Sequence, residues 1–260
     1  MLLPEPRPTR WDLHGRMFGA EVRIRPIFWA SCVLLGIVYY RYPKIGGTTA
    51  FSFWIVAFLV SLLTHELSHI LVARLFGVRP RCVLSALGGQ VYGLEELKRG
   101  QRVLVLLSGS LGNLLIIGIL WALTAAPLPN DRLAPEWRSF LGNAVAITML
   151  FNALWALLNV MPLWPLDGGR VAVEIGESLG PRGRTLALLS SLFVCVLMMV
   201  SIVAFMSVNL RDHLDERYLI YLIFSGVMTV YCYAFWMNTI RALWGDHTPL
   251  DEANKSGRAA

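Results

Sequence analysis

The segment Thr64–His69, with the sequence THELSH, has the residue spacing in this chain that most clearly indicates chemistry. In a helix, residues four apart lie on one face, so His65 and His69 can present two imidazole rings to one metal ion. Two such histidines with a glutamate directly after the first are typical of zinc peptidases, in which the glutamate acts as the general base. The pattern predicts His65 and His69 as metal ligands and Glu66 as the catalytic acid/base. The alternative, in which buried histidines only pack helices together, is disfavoured because ionisable groups inside a hydrophobic segment are costly unless they have partners.

A catalytic zinc site usually has three protein ligands and one position for water, so the two histidines need a further partner. The segment 159–169, NVMPLWPLDGG, offers a candidate in Asp167 on an irregular turn. The prolines and glycines of this segment interrupt regular structure, and irregular backbone is tolerated at membrane depth only where protein buries it. Asp167 could instead cap a helix or a turn. Four glutamates are the remaining candidates for a third ligand: Glu95, Glu96, Glu174 and Glu177.

The composition indicates the setting in which these residues act. Of the 260 residues, 56% are hydrophobic and only 15% are charged, whereas roughly a quarter are charged in ordinary soluble domains. A helix needs about 20 apolar residues to cross a bilayer, so we predict an all-α polytopic membrane protein with about six transmembrane helices. The predicted helices span residues 26–40, 50–73, 103–126, 139–159, 186–208 and 218–238.

The distribution of positive charge predicts the orientation in the membrane. Of the 23 Lys and Arg residues, 17 lie in alternate loops that include both ends of the chain. Because positive residues accumulate on the cytoplasmic side, both termini are predicted to be cytoplasmic. We expect an integral protein of a bacterial plasma (inner) membrane. It would comprise a cytoplasmic or interfacial lead-in at 1–25, a transmembrane metalloprotease domain at 26–245 and a polar tail at 246–260.

Charge and cysteine patterns argue against two other kinds of site. The net charge of +6 is spread over alternating membrane flanks and forms no basic stripe, so nucleic-acid binding is not expected. The four cysteines have no C-x-x-C spacing, so they predict neither a disulfide framework nor a thiolate zinc site. They are interpreted as small apolar fillers.

A small β-hairpin is predicted on the cytoplasmic side, between the second and third helices. The runs Cys82–Leu87 and Gln90–Leu94 flank Gly88-Gly89, a pair that suits a tight turn. The alternation in Glu21–Arg25 predicts a further short strand. An unwound substrate needs partners for its backbone, so we hypothesise that one hairpin edge binds it by strand addition; the alternative is a plain surface loop. The candidate positions are Leu84 and Ala86 in the first run and Gln90 and Tyr92 in the second, and those on the pairing edge would contact substrate.

Taken together, these motifs resemble the site-2 protease family of intramembrane zinc metalloproteases. The resemblance rests on the histidine motif within a membrane helix and, about a hundred residues later, on the Asn-x-x-Pro-x-x-Pro-Leu-Asp-Gly-Gly pattern of 159–169. The segment 18–26 is similar to the one that precedes the family's first helix, and 108–113 is similar to part of its third helix. The chain departs from the family at Arg25, where many relatives carry histidine, and at Ser110, where proline is common.

The resemblance implies a helical membrane core that binds Zn2+ through His65, His69 and Asp167, with Glu66 as the catalytic acid/base. It implies hydrolysis of peptide bonds in or near transmembrane segments of membrane-protein substrates, as in regulated intramembrane proteolysis. The partners implied are transmembrane protein substrates and the lipid bilayer.

Asparagines and glycines add further expectations from the resemblance. Asn152 and Asn159 fall where the family tends to carry asparagine, which suggests a place beside the substrate; the alternative is hydrogen bonding between helices. Gly109, Gly112 and Asn113 are interpreted as residues of close helix packing.

Three other functions remain open. A membrane zinc peptidase whose third ligand is a glutamate would act on soluble or lipidated peptides. A non-catalytic membrane scaffold would keep the fold without the chemistry, although it would have little reason to bury the metal ligands and Glu66. A transporter would use the same residues as an ion relay.

Overall fold

A computed structural model of the chain describes residues 5–36, 47–85, 88–125, 134–212 and 217–244. The chain divides into two units, residues 1–160 and 161–260. The elements of the first unit are, in chain order, β1 (Leu13–Met17), β2 (Ala20–Ile24), α1 (Pro26–Gly36), α2 (Gly47–Leu75), β3 (Arg81–Ser85), β4 (Gly88–Tyr92), α3 (Arg99–Ala125) and α4 (Pro135–Val160). Those of the second unit are α5 (Asp167–Ser178), α6 (Pro181–Asp212) and α7 (Arg217–Trp244).

Within the described residues, four helices are long and apolar enough to cross a membrane: α2, α3, α4 and the part Arg182–Phe205 of α6. The 27 residues of α3 extend about 40 Å, which exceeds a hydrocarbon core of about 30 Å. The chain is an integral membrane protein, as predicted. The two remaining predicted segments also contain helices, α1 and α7. Membrane crossing by these two stays a prediction.

Helix α3 shows why such helices suit a lipid environment. Its buried residues include Val105, Gly109 and Asn113, which are spaced four apart and share one face. On the rest of its surface Leu111 and Leu115 are 63% and 61% exposed, whereas Asn113 is 0% exposed. Large apolar side chains outside and a polar amide inside are expected when the surroundings are hydrocarbon rather than water.

A four-stranded sheet with the order β1-β2-β3-β4 belongs to the first unit. Strands β1 and β2 form an antiparallel hairpin through Phe18-Gly19, whose φ angles of 49° and 77° suit a type I′ turn. Strand β2 runs parallel to β3, with Val22 opposite Cys82. The strand predicted at 21–25 is confirmed. Strand β1 was not predicted. The parallel pairing was not predicted either, because pairing between segments as distant in sequence as β2 and β3 leaves no local pattern.

The predicted hairpin is present as β3 and β4, but the prediction of its turn is wrong. Gly88 and Gly89 are the first residues of β4 and pair with Ser85 and Leu84. The residues between the two strands, 86–87, lie outside the described part of the chain. Glycine in a strand often marks a close approach of other groups rather than a turn. The cytoplasmic position of the hairpin stays a prediction.

Small and aromatic residues join the helices of the first unit. A Cβ at Gly112 of α3 would overlap the Ser68 hydroxyl and lie 3.1 Å from the Thr64 carbonyl oxygen, so α2 and α3 pack closely at this glycine. Helix α4 meets α2 through Phe151, whose ring centroid lies 5.7 Å from that of Trp54 in an edge-on arrangement. The interpretation of Gly112 as a packing residue is confirmed.

Candidate metal centre

Two histidine side chains meet inside the first unit, on α2. His65 and His69 are 2% and 3% exposed. Their Nε2 atoms lie 3.2 Å apart, and the two rings are nearly perpendicular, at 86°. The spacing of four residues therefore brings the two predicted ligands together, as helix geometry requires.

The Nδ1 nitrogens of both rings form hydrogen bonds to oxygen atoms. His69 Nδ1 lies 2.6 Å from the carbonyl oxygen of Val105 on α3, and His65 Nδ1 lies 2.7 Å from Asn113 Oδ1. Because carbonyl and amide oxygens only accept, each ring donates from Nδ1 and, when neutral, keeps Nε2 unprotonated. The nitrogen that each ring can offer to a metal is therefore Nε2, and the two Nε2 atoms are adjacent.

The histidine pair fits a divalent metal ion such as zinc. Two unprotonated nitrogens 3.2 Å apart repel each other, so two neutral rings in these tautomers share no hydrogen bond at this contact. Zinc binds histidine at about 2.0–2.1 Å, which places two ligands of a tetrahedral site about 3.3 Å apart. A cation held by both nitrogens replaces the repulsion with coordination. The bonds at Nδ1 are the support that metal-binding histidines normally receive.

Space beside the two rings depends on Gly109 of α3. A Cβ at this position would lie 2.5 Å from His69 Cε1 and 2.6 Å from His65 Cε1, and it would also overlap His69 Nε2. Any larger residue would push into the metal-binding side of both rings. The interpretation of Gly109 as a packing residue is confirmed, and the groups it packs against are the histidines themselves.

Glu66 is buried between α2 and the sheet and is 4% exposed. The backbone N–H of Gly89 donates to its Oε1 at 3.1 Å, and the Cys82 thiol lies 3.8 Å from its Oε2. Burial, with the neighbouring carboxylate, raises the pKa of the Cys82 thiol, so this group stays a neutral donor. Cys82 is a buried free cysteine, as predicted for a filler, but together with Gly89 it also orients the carboxylate.

Gly89 belongs to the site but was not predicted from the sequence. A Cβ at this position would overlap the Glu66 carboxylate. The direction of the Gly89 N–H follows from its strand partner Leu84. The Leu84 carbonyl points away from β4, toward β2, because it accepts from the Arg25 N–H at 2.9 Å. Leu84 and its partner Gly89 therefore form no hydrogen bonds with each other, and the Gly89 N–H points outward to Glu66. The glycine pair was the feature of the sequence that could have indicated this contact, but two adjacent glycines favour a turn.

The pairing of β3 with β4 shows which of the four candidate substrate-binding positions lie on an edge of the sheet. Leu84 lies in β3, which has β2 on one side and β4 on the other, so its choice is corrected: it offers no open edge. Ala86 lies outside the described residues. Gln90 and Tyr92 belong to β4. In an antiparallel pair, hydrogen-bonded and non-hydrogen-bonded positions alternate, so the backbone N–H and C=O groups of these two residues point toward β3. Of the two hairpin strands, β4 is the one at the edge of the described sheet.

Two of the buried asparagines connect helices, and a third bonds within its own helix. Asn113 and Asn152 are both 0% exposed. Asn113 Nδ2 donates to Asn152 Oδ1 at 2.7 Å, and Asn152 Nδ2 donates to Ser61 Oγ at 2.9 Å. Asn159 donates to the Trp155 carbonyl of its own helix at 3.0 Å. Hydrogen bonding between helices, the alternative considered for Asn152, is therefore present. Contact of Asn152 or Asn159 with substrate stays a prediction.

In the second unit, Asp167 is the first residue of α5, so its expected place on an irregular turn is corrected. The irregular backbone precedes it, and there the Trp164 N–H donates to Ser191 Oγ at 2.7 Å. A Cβ at Gly169 would overlap the backbone of Leu163 and Trp164, so this glycine lets the preceding segment fold over the start of α5. Helix α5 was not predicted, because a glycine pair after two prolines disfavours a helix locally.

The four glutamates considered as third ligands differ in their surroundings. Glu95 and Glu96 follow β4 and are exposed. Within the second unit, Glu177 Oε1 lies 3.9 Å from Arg184 Nε. Glu174 lies on α5 and is 8% exposed. Glu174 is thus the glutamate to test against Asp167.

The helices and the histidine pair define a class of protein, a membrane protein with two adjacent histidines on a long apolar helix that are arranged to hold a metal ion. No family model matches the chain. It is 28% identical over 174 residues to the "Putative zinc metalloprotease sll0528" of Synechocystis sp., covering 62% of this chain and 43% of that protein. It is 28% identical over 207 residues to the "Putative zinc metalloprotease Rip3" of Mycobacterium tuberculosis, covering 67% and 48%. It is 23% identical over 185 residues to the "Stage IV sporulation protein FB" of Bacillus subtilis, covering 68% and 56%.

The fold is similar to that of the "Site-2 Protease from Methanocaldococcus jannaschii". The TM-score is 0.56 at 15% sequence identity, and the match covers 86% of this chain and 94% of the other. This fold and the printed names of the zinc metalloprotease relatives agree with the resemblance of the chain to the site-2 protease family. The chain spans about half the length of the curated relatives that it matches.

Proposed function

We propose that the chain is a zinc metalloendopeptidase that hydrolyses peptide bonds in or near transmembrane segments of membrane proteins. The observation that carries this proposal is the buried His65–His69 pair, with two Nε2 atoms 3.2 Å apart and both Nδ1 atoms hydrogen-bonded to oxygens. Histidines that only packed helices together would gain nothing from two lone pairs placed side by side. The relatives named as zinc metalloproteases support the same conclusion.

Asp167 is the proposed third zinc ligand. It occupies the aspartate of the family motif in 159–169, and its side chain is a carboxylate of the kind that binds zinc beside two imidazoles. It is 9% exposed. As the first residue of α5, it lies at the positive end of the helix dipole. Two histidines and one aspartate leave one zinc position for water.

The proposed chemistry assigns proton transfer to Glu66. A zinc ion held at this site would polarise the scissile carbonyl and increase the acidity of the attacking water. Glu66 takes a proton from the water during attack and returns it to the leaving amine. The Gly89 N–H holds Oε1 at 3.1 Å, which keeps the carboxylate oriented for both transfers.

The position of the histidine pair along α2 favours a membrane substrate. His65 lies 18 residues after the start of α2 and 10 before its end, or about 27 Å and 15 Å along the axis. The charge pattern predicts that the nearer end lies on the cytoplasmic side. Because a helix shields its own peptide bonds, a substrate must unwind locally before water reaches it. The proposed substrates are single-span proteins of a bacterial plasma membrane, cut near the cytoplasmic face in regulated intramembrane proteolysis.

The substitution Glu66→Gln tests this proposal. We expect cleavage of a reconstituted single-span substrate to fall by at least roughly 100-fold, because the proton acceptor is lost. Zinc content, measured by atomic emission on the same sample, should stay at the parental level, because all proposed ligands remain. Glu174→Gln is the matched control and should cleave normally. Near-parental turnover by the Glu66→Gln protein would exclude Glu66 as the acid/base.

The outer edge of β4 is the proposed binding site for the unwound substrate. Strand β4 lies at the edge of the sheet, and its Gly89 donates directly to Glu66. Strand addition would supply partners for the substrate backbone. A photo-reactive residue at Gln90 should therefore cross-link to substrate, whereas the same residue at Gly15, on the opposite edge strand β1, should not. Cross-linking at Gly15 alone would place the substrate on the other edge.

A further inference from the structure

A continuous series of hydrogen bonds runs from the backbone of α4 to the His65 ring on α2. Asn152 Nδ2 donates to the Thr148 carbonyl at 2.8 Å and to Ser61 Oγ at 2.9 Å. Asn152 Oδ1 accepts from Asn113 Nδ2 at 2.7 Å. Asn113 Oδ1 in turn accepts from His65 Nδ1 at 2.7 Å. The two amides are 0% exposed, so water does not compete for these bonds.

The direction of each bond follows from the acceptor at the start of the series. The Thr148 oxygen is a backbone carbonyl and only accepts, so Asn152 turns its Nδ2 toward it. Asn152 Oδ1 then faces Asn113, which must present Nδ2 to it and therefore Oδ1 to His65. An acceptor beside His65 Nδ1 requires a proton on that nitrogen. The neutral His65 ring is left with Nε2 as its metal-binding nitrogen.

We propose that Asn113 and Asn152 are positioning residues that hold His65 in the tautomer able to bind zinc. The inference rests on the proposed function, which gives the ring a metal to bind. If the Asn113 amide turned over, its Nδ2 would face His65 and favour the opposite tautomer, with the proton on Nε2. Asn152 prevents this, because its Oδ1 would then face Asn113 Oδ1.

The two histidines differ in how their tautomers are secured. His69 donates to the backbone carbonyl of Val105, which no side-chain substitution removes. His65 depends on two side chains from two other helices. Loss of either amide therefore affects zinc binding through His65 and leaves the His69 tautomer unchanged.

If the two asparagines served only in helix packing, their substitutions would give a different result. In that case, removal of the Asn152 side chain would have the same effect whatever residue stands at position 113. The substitution Asn113→Asp separates the two roles, because a carboxylate presents an oxygen to His65 whichever way it turns. With that substitution in place, the orientation enforced by Asn152 no longer matters.

The test measures zinc affinity of the full-length chain in detergent by competition with a chelating dye, with Glu66→Gln present throughout to exclude self-cleavage. We expect Asn113→Leu and Asn152→Ala each to weaken zinc binding by roughly 10–100-fold, and Asn113→Asp to bind zinc much as the parent does. Adding Asn152→Ala to Asn113→Asp should cause little further loss. Asn143→Ala, at an exposed position of α4, is the matched control. Circular dichroism checks that each variant is folded.

The His65 tautomer can also be read directly in the metal-free chain. Nitrogen-15 NMR of labelled histidine distinguishes the tautomers, and with five histidines in the chain the His65 signal is assigned from its loss in His65→Gln. We expect a proton on Nδ1 in the parent and a mixture of tautomers in Asn152→Ala. A parental tautomer in Asn152→Ala, or equal zinc losses on adding Asn152→Ala with and without Asn113→Asp, would overturn the proposal. A chain that bound no zinc would refute the proposed function, while the tautomer would still decide the role of the two asparagines.

Discussion

The two segments that carry the predicted metal ligands position their side chains by different means. On α2, His65 and His69 are aligned by the helix itself, because four residues make about one turn. The segment 161–166 is irregular, and the start of α5 depends on contacts within the second unit such as the bond from the Trp164 N–H to Ser191 Oγ. The arrangement of the two histidines therefore follows from local helix geometry. The position of Asp167 at the start of α5 instead depends on packing within the second unit.

Local geometry alone is nevertheless insufficient at the histidines. The helix sets the direction of the two rings, but Gly109 provides the space beside them. Val105 and Asn113 accept hydrogen bonds from their Nδ1 atoms. Substitutions in the two segments should therefore separate the contribution of ligands from that of the packing that supports them.

The largest effect is expected from Asp167→Ala. Zinc affinity should fall by more than the roughly 100-fold that loss of an outer-shell partner can cause, because two imidazoles alone make an incomplete site. Equilibrium dialysis against buffered zinc measures this. Glu174→Ala, a matched control on the same helix, should bind zinc as the parent does. Zinc loss in Glu174→Ala but not in Asp167→Ala would make Glu174 the third ligand.

A smaller effect is expected from Gly109→Ala, which changes the space beside the two histidines of α2. The added methyl group would meet both rings, so zinc affinity should fall roughly 10–100-fold and stability by about 1–3 kcal/mol. Gly118→Ala on the same helix is the matched control, because a Cβ there meets nothing within 4 Å. Thermal unfolding and zinc titration should show no loss for Gly118→Ala. Unchanged zinc affinity in Gly109→Ala would show that the rings can move aside.

The smallest effect is expected from Gly169→Ala, on the irregular side. A methyl group there overlaps the backbone of Leu163 and Trp164, so either this segment or the start of α5 must shift. We expect a loss of zinc affinity of about tenfold, as for a supporting residue. Gly226→Ala on α7, where a Cβ meets nothing within 4 Å, is the control. A loss as large as that of Asp167→Ala would show that the segment tolerates no adjustment.

Hydropathy predicted most of the helical fold. Helices α2, α3, α4 and α6 lie on four of the six predicted segments, because a long apolar run in a membrane must satisfy its backbone internally and does so as a helix. Helix α5 was missed, because its glycine pair and the prolines before it give a local signal for irregular structure. The same kind of signal misplaced the hairpin turn at Gly88-Gly89, where glycine instead makes room for Glu66.

By itself the sequence determined the long helices, the two histidines on one face and the presence of a hairpin, because each depends on residues close together in the chain. Tertiary structure alone decided that β2 runs beside β3, that Gly89 holds Glu66, and that Asn113 bonds to His65. Asn113 illustrates the reason. Its spacing from Gly109 predicts a packing face equally well with any small polar residue. Its role depends on which acceptor Asn152 meets on α4, and a hydrogen bond between side chains 39 residues apart leaves no trace in local spacing.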